Sequence, residues 1–256
     1  LLQAILHAVT PDDEVTVFAP DHNWSAAGHT KTMHKPLRVT PYSLDLEADG
    51  ARAQVSAYTT TGAPSDCVAL ALLGILPDHP DLVVSGINLG PNLGHDITYS
   101  GTVAAAMEAV IAGLPAIAVS LDTYELGRHG DGGDFDHAAQ VAARVVSRVL
   151  ARRADGNGLP PGILLNVNVP ALLPDDITGV TITRLGRRVY RDVLVARHDP
   201  RGRPYYWIGG EPPAGHLDEG TDIWAVAHGY VSITPIQLDL TAHELIPALK
   251  EWHFEE

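Results

Sequence analysis

Residues 81 to 121 set an apolar strand, a glycine-rich loop, a helix and a second apolar strand in immediate succession, and that order leaves few folds open. Leu82, Val83 and Val84 read as a buried strand within 81–85, a helix runs from 102 to 112, and Ala116 to Leu121 is the next strand. Buried strands joined through a helix pair in parallel, with the helix across the sheet. The alternation extends both ways. Upstream, Leu1, Leu2, Ile5, Leu6 and Val9 mark a helical face, Val15 to Phe18 is a strand, 37–40 and 53–60 are extended, and Pro64 opens a helix buried over Cys67 to Leu76. Downstream, a helix from about Asp136 to Arg153 precedes the strand Ile163 to Val169. The pattern predicts an α/β fold, a doubly wound, mostly parallel, Rossmann-like sheet over residues 1–170.

After Pro170 the rhythm changes to short extended pieces at 180–183, 205–208 and 230–234, separated by turns such as DPRGRP and EPPAG. Residues 171–256 are expected to form an antiparallel C-terminal extension, closed by a helix over about Ala242 to Trp252.

Ligands of such sheets sit beyond the carboxyl ends of the strands. Two loops qualify: APDHNWSAAGHT after Val15 to Phe18, and SGINLGPNLGHDITYSGT, which spans Ser85 to Thr102. Gly86, Gly90 and Gly94 free the second loop for positive φ or close ligand approach. The helix start at Ser100, Gly101 and Thr102 leaves backbone N–H groups unpaired at the positive end of its dipole, which makes it a candidate phosphate cradle.

Asn88 and Ser25 carry oxygens that a hard cation such as Mg²⁺ or Mn²⁺ accepts, although loop asparagines and serines are also ordinary turn formers. A site of neutral oxygens alone would be unusual, because a carboxylate normally supplies charge. Asp12 and Asp13 enter a strand at the amino edge of the sheet, opposite the ligand edge. Asp21 and Asp96 are better placed, yet either can simply bond nearby amides. His29 and His95 lie near the predicted site and could donate to a phosphate. Ser100 lacks the glycine that a nucleophile elbow needs two positions earlier, and neither G-x-G-x-x-G nor a P-loop occurs.

A formal charge of −14 argues against nucleic-acid polymers and anionic membranes as partners, since both demand clustered cations. No apolar run reaches the length of a membrane span. The single cysteine, Cys67, excludes an internal disulfide and fits a reducing, cytoplasmic setting. The chain opens at Leu1 inside a helix, so a strand and the natural N-terminus are expected upstream.

The motifs APDHNWSAAGH, TGAPSDCVALAL, VSGINLGPNLGHDITYSGTVAAAMEA and PAIAVSL, followed by ILLNVNVP, DPRGRPYYWIG and GTDIWAVAHGYVSITPIQLDLT, resemble the SurE family over nearly the whole chain. The resemblance implies a metal-dependent 5′-nucleotidase acting on nucleoside monophosphates, with 3′-nucleotides and short polyphosphate as further substrates in some members. It implies one divalent cation, Mg²⁺ or Mn²⁺, held by two adjacent aspartates of an NDDG motif together with a serine and an asparagine, which match Ser25 and Asn88. The acidic pair belongs just ahead of the helix that opens this chain. A polypeptide starting at Leu1 is therefore expected to bind metal poorly and to hydrolyse AMP slowly. The phosphate-contacting residues match Asn92, Ser100, Gly101 and Thr102. Trp24 beside Ser25, and His95 where many relatives carry an acid, depart from the pattern. A homodimer or homotetramer that exchanges the C-terminal extension is also implied, and Tyr205, Tyr206, Trp207 and Trp224 concentrate aromatic area there. The alternatives are a nucleotide- or anion-binding protein without catalysis, and a structural oligomer of the same fold.

Overall fold

A computed structural model of the chain describes residues 1–10, 12–44, 54–123, 135–190, 192–210 and 214–254. The apolar face read at the start is Leu2–Ala8 (α1), with Leu6 buried. Glu14–Pro20 (β1), Val39–Pro41 (β2) and Gln54–Thr60 (β3) form a three-stranded sheet with β3 in the middle, parallel to β1 and antiparallel to β2. Position 53 of the extended stretch expected at 53–60 lies outside the described residues.

Pro64 occupies the first turn of Pro64–Leu70 (α2), where its missing N–H and fixed φ cost nothing. The α-helix stops short of Leu76, because Ala71–Ile75 widens into a π-turn that contains Gly74 at φ +127°. Burial beside Asp66 pushes the Cys67 thiol up to about 12, so this cysteine is a packing group and not a nucleophile.

The parallel unit follows as expected: Val83–Leu89 (β4), Gly101–Ile111 (α3), Ala116–Asp122 (β5), Asp136–Ala154 (α4) and Ile163–Pro170 (β6). β5 lies between β4 and β6 and is buried along its whole length. Its two faces serve different helices. Ile117, Val119 and Leu121 pack with Val167 and Val169 against Val141, Ala142 and Val146 of α4. Ala116 and Ala118 pack with Leu164 against Val103, Ala106 and Val110 of α3.

β4 runs past the boundary expected at residue 85. Its register on β5 shifts between Ser85 and Asn88, around Gly86 at φ +132°, where a Cβ would lie 2.4 Å from the Val119 carbonyl oxygen. Asn88 consequently stands on the strand, opposite Ser120, and not in the loop.

The main sheet continues beyond residue 170. Gly179–Ile182 (β7), Arg188–Val189 (β8), Asp192–His198 (β9), Pro204–Gly210 (β10), Ala214–Gly215 (β11), Asp222–Ala227 (α5) and Tyr230–Gln237 (β12) follow. β12 pairs antiparallel with β6 and parallel with β7, giving the order β4-β5-β6-β12-β7. Two strands of the expected extension thus complete the core sheet, while β9 and β10 form an antiparallel hairpin of their own. The terminal helix is shorter than expected, Ile246–Lys250 (α6) after a 3₁₀ turn at His243–Leu245, and it has no buried residue to stabilise further turns.

Candidate active site

The site is organised by the start of α3. Ser100 caps it, its Oγ accepting the Val103 N–H at 3.1 Å, and so occupies one of the orphan donors of the first turn. Gly101 and Thr102 contribute the preceding N–H groups at the positive end of the helix. A Cβ on Gly101 would sit 3.0 Å from Pro64 Cγ and 3.6 Å from the Trp24 carbonyl oxygen, so the loop after β1 crosses the helix start closely. That crossing, reinforced by the Gly28 N–H donating to the Tyr99 carbonyl at 2.9 Å, brings exposed Ser25 to the head of α3. From the other side, Thr102 Oγ1 lies 3.4 Å from Asn88 Oδ1, while Asn88 Nδ2 donates to the Gly90 carbonyl at 2.8 Å. Residues about sixty positions apart in the sequence therefore gather at the carboxyl ends of β1 and β4, where a doubly wound sheet receives its ligand.

Asn92 is placed more deeply than its loop position suggests, and it is gripped from below. Its N–H donates to Asn168 Oδ1 at 2.8 Å, its carbonyl accepts Asn166 Nδ2 at 2.8 Å and Asn168 Nδ2 at 3.1 Å, and its Nδ2 donates to Ser120 Oγ at 2.6 Å. Two residues on, the Gly94 N–H donates to Asp222 Oδ2 at 2.8 Å, and Asp222 Oδ1 also accepts the N–H groups of Gly186 and Ile223. Burial raises the Asp222 carboxyl above its ordinary range, and those three amides only partly offset the effect. Asp96 is not a free site acid: Arg188 Nε donates to it at 2.8 Å, and so does the Tyr190 hydroxyl. The signal for these supports lay in polar residues at alternate positions of otherwise apolar strands, as in ILLNVNVP.

His29 turns to the middle of α3 and not to its start. Its Nε2 meets Glu108 Oε2 at 3.0 Å, and Lys31 Nζ donates to Glu108 Oε1 at 2.7 Å. Glu108 lies six residues along α3 from Thr102, about 9 Å of helix rise. This cluster fastens the loop that carries Ser25 to α3. Burial pushes the Glu108 carboxyl upward, yet the bonds from Lys31 and His29 outweigh it and hold the pKa below the ordinary value. A carboxyl depressed in the folded state stabilises the fold above its unfolded pKa and loses that contribution as the pH falls through the folded one. Thermal denaturation of the protein and of Glu108→Gln should therefore show an advantage for glutamate at neutral pH that shrinks below about pH 5. An advantage that stays constant down to pH 3 would contradict this role.

His95 is exposed on the 3₁₀ turn Gly94–Thr98. Asp13 accepts the Thr10 N–H and hydroxyl in the turn before β1, the structural role its position predicts, and Asp21 pairs with His22.

Ser25 Oγ and Asn88 Oδ1 are neutral oxygens of the kind that Mg²⁺ and Mn²⁺ take. Among the described residues, no three His, Cys, Asp or Glu side chains come together to hold a metal. The pair fits as the neutral part of a hard-cation site whose charge a carboxylate must complete. Among the described residues, no helix is long and apolar enough to cross a membrane.

The family described as survival protein SurE matches residues 1–192. A protein named 5′-nucleotidase SurE from Chloroflexus aggregans is 51% identical over 254 residues, covering 99% of this chain and 93% of that one. One named 5′-nucleotidase SurE 1 from Thermus thermophilus is 50% identical over 238 residues, covering 92% and 86%. The crystal structure of the SurE protein from Aquifex aeolicus, 40% identical, superposes with a TM-score of 0.75 over 98% of this chain and 93% of that chain. With its mostly parallel sheet, its loop between β4 and α3 and nearly its whole length shared with these proteins, the chain belongs to the SurE family.

Proposed function

We propose that the protein is a 5′-nucleotidase, a phosphoric monoester hydrolase that releases phosphate from nucleoside monophosphates in the cytoplasm. The observation that carries the reading is the capped start of α3, with Ser100, Gly101 and Thr102 converging on Asn88 and on the loop of Ser25. The N–H groups of Gly101 and Thr102 bind the phosphoryl oxygens, and the hydroxyls of Ser100 and Thr102 donate to the charge that grows on them in the transition state. Asn92 faces the same phosphate and orients it. Ser25 and Asn88 hold one Mg²⁺ or Mn²⁺ per subunit with carboxylates that complete its charge. When bound, the cation supplies Lewis-acid polarisation of a phosphoryl oxygen. The loop clamp at Glu108 keeps Ser25 at the helix head while substrate enters and product leaves.

The neutral donor set favours a second reading, a nucleotide binder without turnover. Phosphate release from AMP should appear with added Mn²⁺ and vanish with EDTA. AMP binding without phosphate release would favour the binder, and neither would leave the structural oligomer.

We also propose a homodimer or homotetramer that forms through the C-terminal arm. The β9–β10 hairpin exposes Val193, Leu194, Tyr206, Trp207 and Ile208, with Ile208 at 82%. A lone hairpin is marginally stable in water, and an apolar one seeks a covering surface. Light scattering at micromolar concentration should give the mass of two or four chains. A strictly monomeric species would overturn this arrangement.

A further inference from the structure

The face of the main sheet that looks toward α3 changes character along its length. At one end it carries Ala116, Leu164 and Ile236, packed under α3. Toward the carboxyl ends of β5 and β6 the same face carries Ser120, Asn166 and Asn168, with Ser232 and Thr234 beside them on β12, all at most 1% exposed. This polar floor lies beneath Asn92, and three of its side chains take up the Asn92 N–H, carbonyl and side-chain amide in four hydrogen bonds of 2.6 to 3.1 Å.

Such an arrangement is a poor choice for stability alone. Asn166 Oδ1 is buried with no hydrogen-bond donor among the described residues. Apolar side chains of similar size at these positions would avoid that cost. The neighbouring residues of β6, Leu165, Val167 and Val169, are of that apolar kind. Both the backbone and the side chain of Asn92 are fixed, so the direction of its amide is set before any ligand arrives.

We infer that Asn168, aided by Ser120 and Asn166, is a positioning residue for the nucleotidase reaction, acting through Asn92 without touching substrate. The inference rests on the reading of Asn92 as phosphate-facing. Misplacing that amide weakens the hold on phosphate in substrate and product alike, so KM for AMP and the inhibition constant of inorganic phosphate rise together while kcat changes less.

The test uses the active protein with Mn²⁺ and the variants Asn168→Ala, Asn92→Ala, the double variant, and Thr183→Val. Thr183 bonds Ser232 and Thr234 on the same polar floor without contacting Asn92, so it reports the general cost of disturbing that floor. Asn168→Ala should raise KM and the phosphate inhibition constant about tenfold, the weight of one charge-assisted hydrogen bond. In the Asn92→Ala background the same change should add almost nothing, because its route to the ligand is already gone. Thr183→Val should lower Tm and leave both constants unchanged. If Asn168→Ala lowers Tm as Thr183→Val does but leaves KM unchanged while Asn92→Ala raises it, the positioning role is overturned and the phosphate-facing reading stands. If Asn92→Ala itself changes neither constant, that reading falls and the inference with it.

Discussion

Replacing Asp222 with alanine should lower stability by about 3 to 5 kcal/mol, seen as a drop in Tm of roughly 10 °C for a chain of this size. The carboxylate is fully buried and accepts three backbone N–H groups, from Gly94, Gly186 and Ile223, each within 2.8 Å. Removing it strands those donors where no water replaces it. Asp222→Asn separates the structural part from the functional one. The amide oxygen can keep Gly186 and Ile223, which share Oδ1, but the amide nitrogen then faces the Gly94 N–H, donor against donor. That variant should keep more of the stability and still bind AMP more weakly, because Gly94 follows Asn92 closely in the loop. A Tm unchanged in the alanine variant would show that the three bonds are dispensable.

The second large effect is expected at Asn88. In Asn88→Ala of the active protein with Mn²⁺, phosphate release from AMP should fall at least about 100-fold, and Mn²⁺ affinity measured by calorimetry should weaken by one to two orders of magnitude. The side chain stands at the end of β4 with its amide nitrogen tied to the Gly90 carbonyl, so its oxygen is presented toward Thr102 and the head of α3. Weakened metal binding with full turnover at saturating Mn²⁺ would confine Asn88 to holding the ion. Unchanged metal binding would remove it from the metal site.

Much of this architecture was legible because local patterns and global fold agree between Asp81 and Val169. The apolar runs of β5 and β6 and the start of α3 each announce themselves within a few residues. Readings failed where long-range partners decide. The end of β4 was placed too early because Gly86 reads as a breaker, whereas the sheet needs a glycine there to clear Val119. β9, Asp192–His198, escaped notice, and among the described residues it pairs with β10 alone. Asp222 contacts Gly94 across 128 positions of sequence, a relation no local period reports. The partner of His29, Glu108 in the middle of α3, lies 79 positions away and was equally beyond a local reading.

The order of strands in the main sheet has a consequence during synthesis. β6 is complete at Pro170, but the neighbour that covers its second edge, β12, ends only at Gln237. At about 5 to 20 residues per second, a ribosome needs roughly 3 to 13 s to deliver the intervening chain. Early in that interval the nascent protein carries three of the five strands of the main sheet, and until β12 emerges β6 keeps an open edge at the future centre of that sheet. Translational pausing in that interval should feed aggregation, and the final yield of folded protein should respond to chaperones that engage the chain before Gln237 emerges.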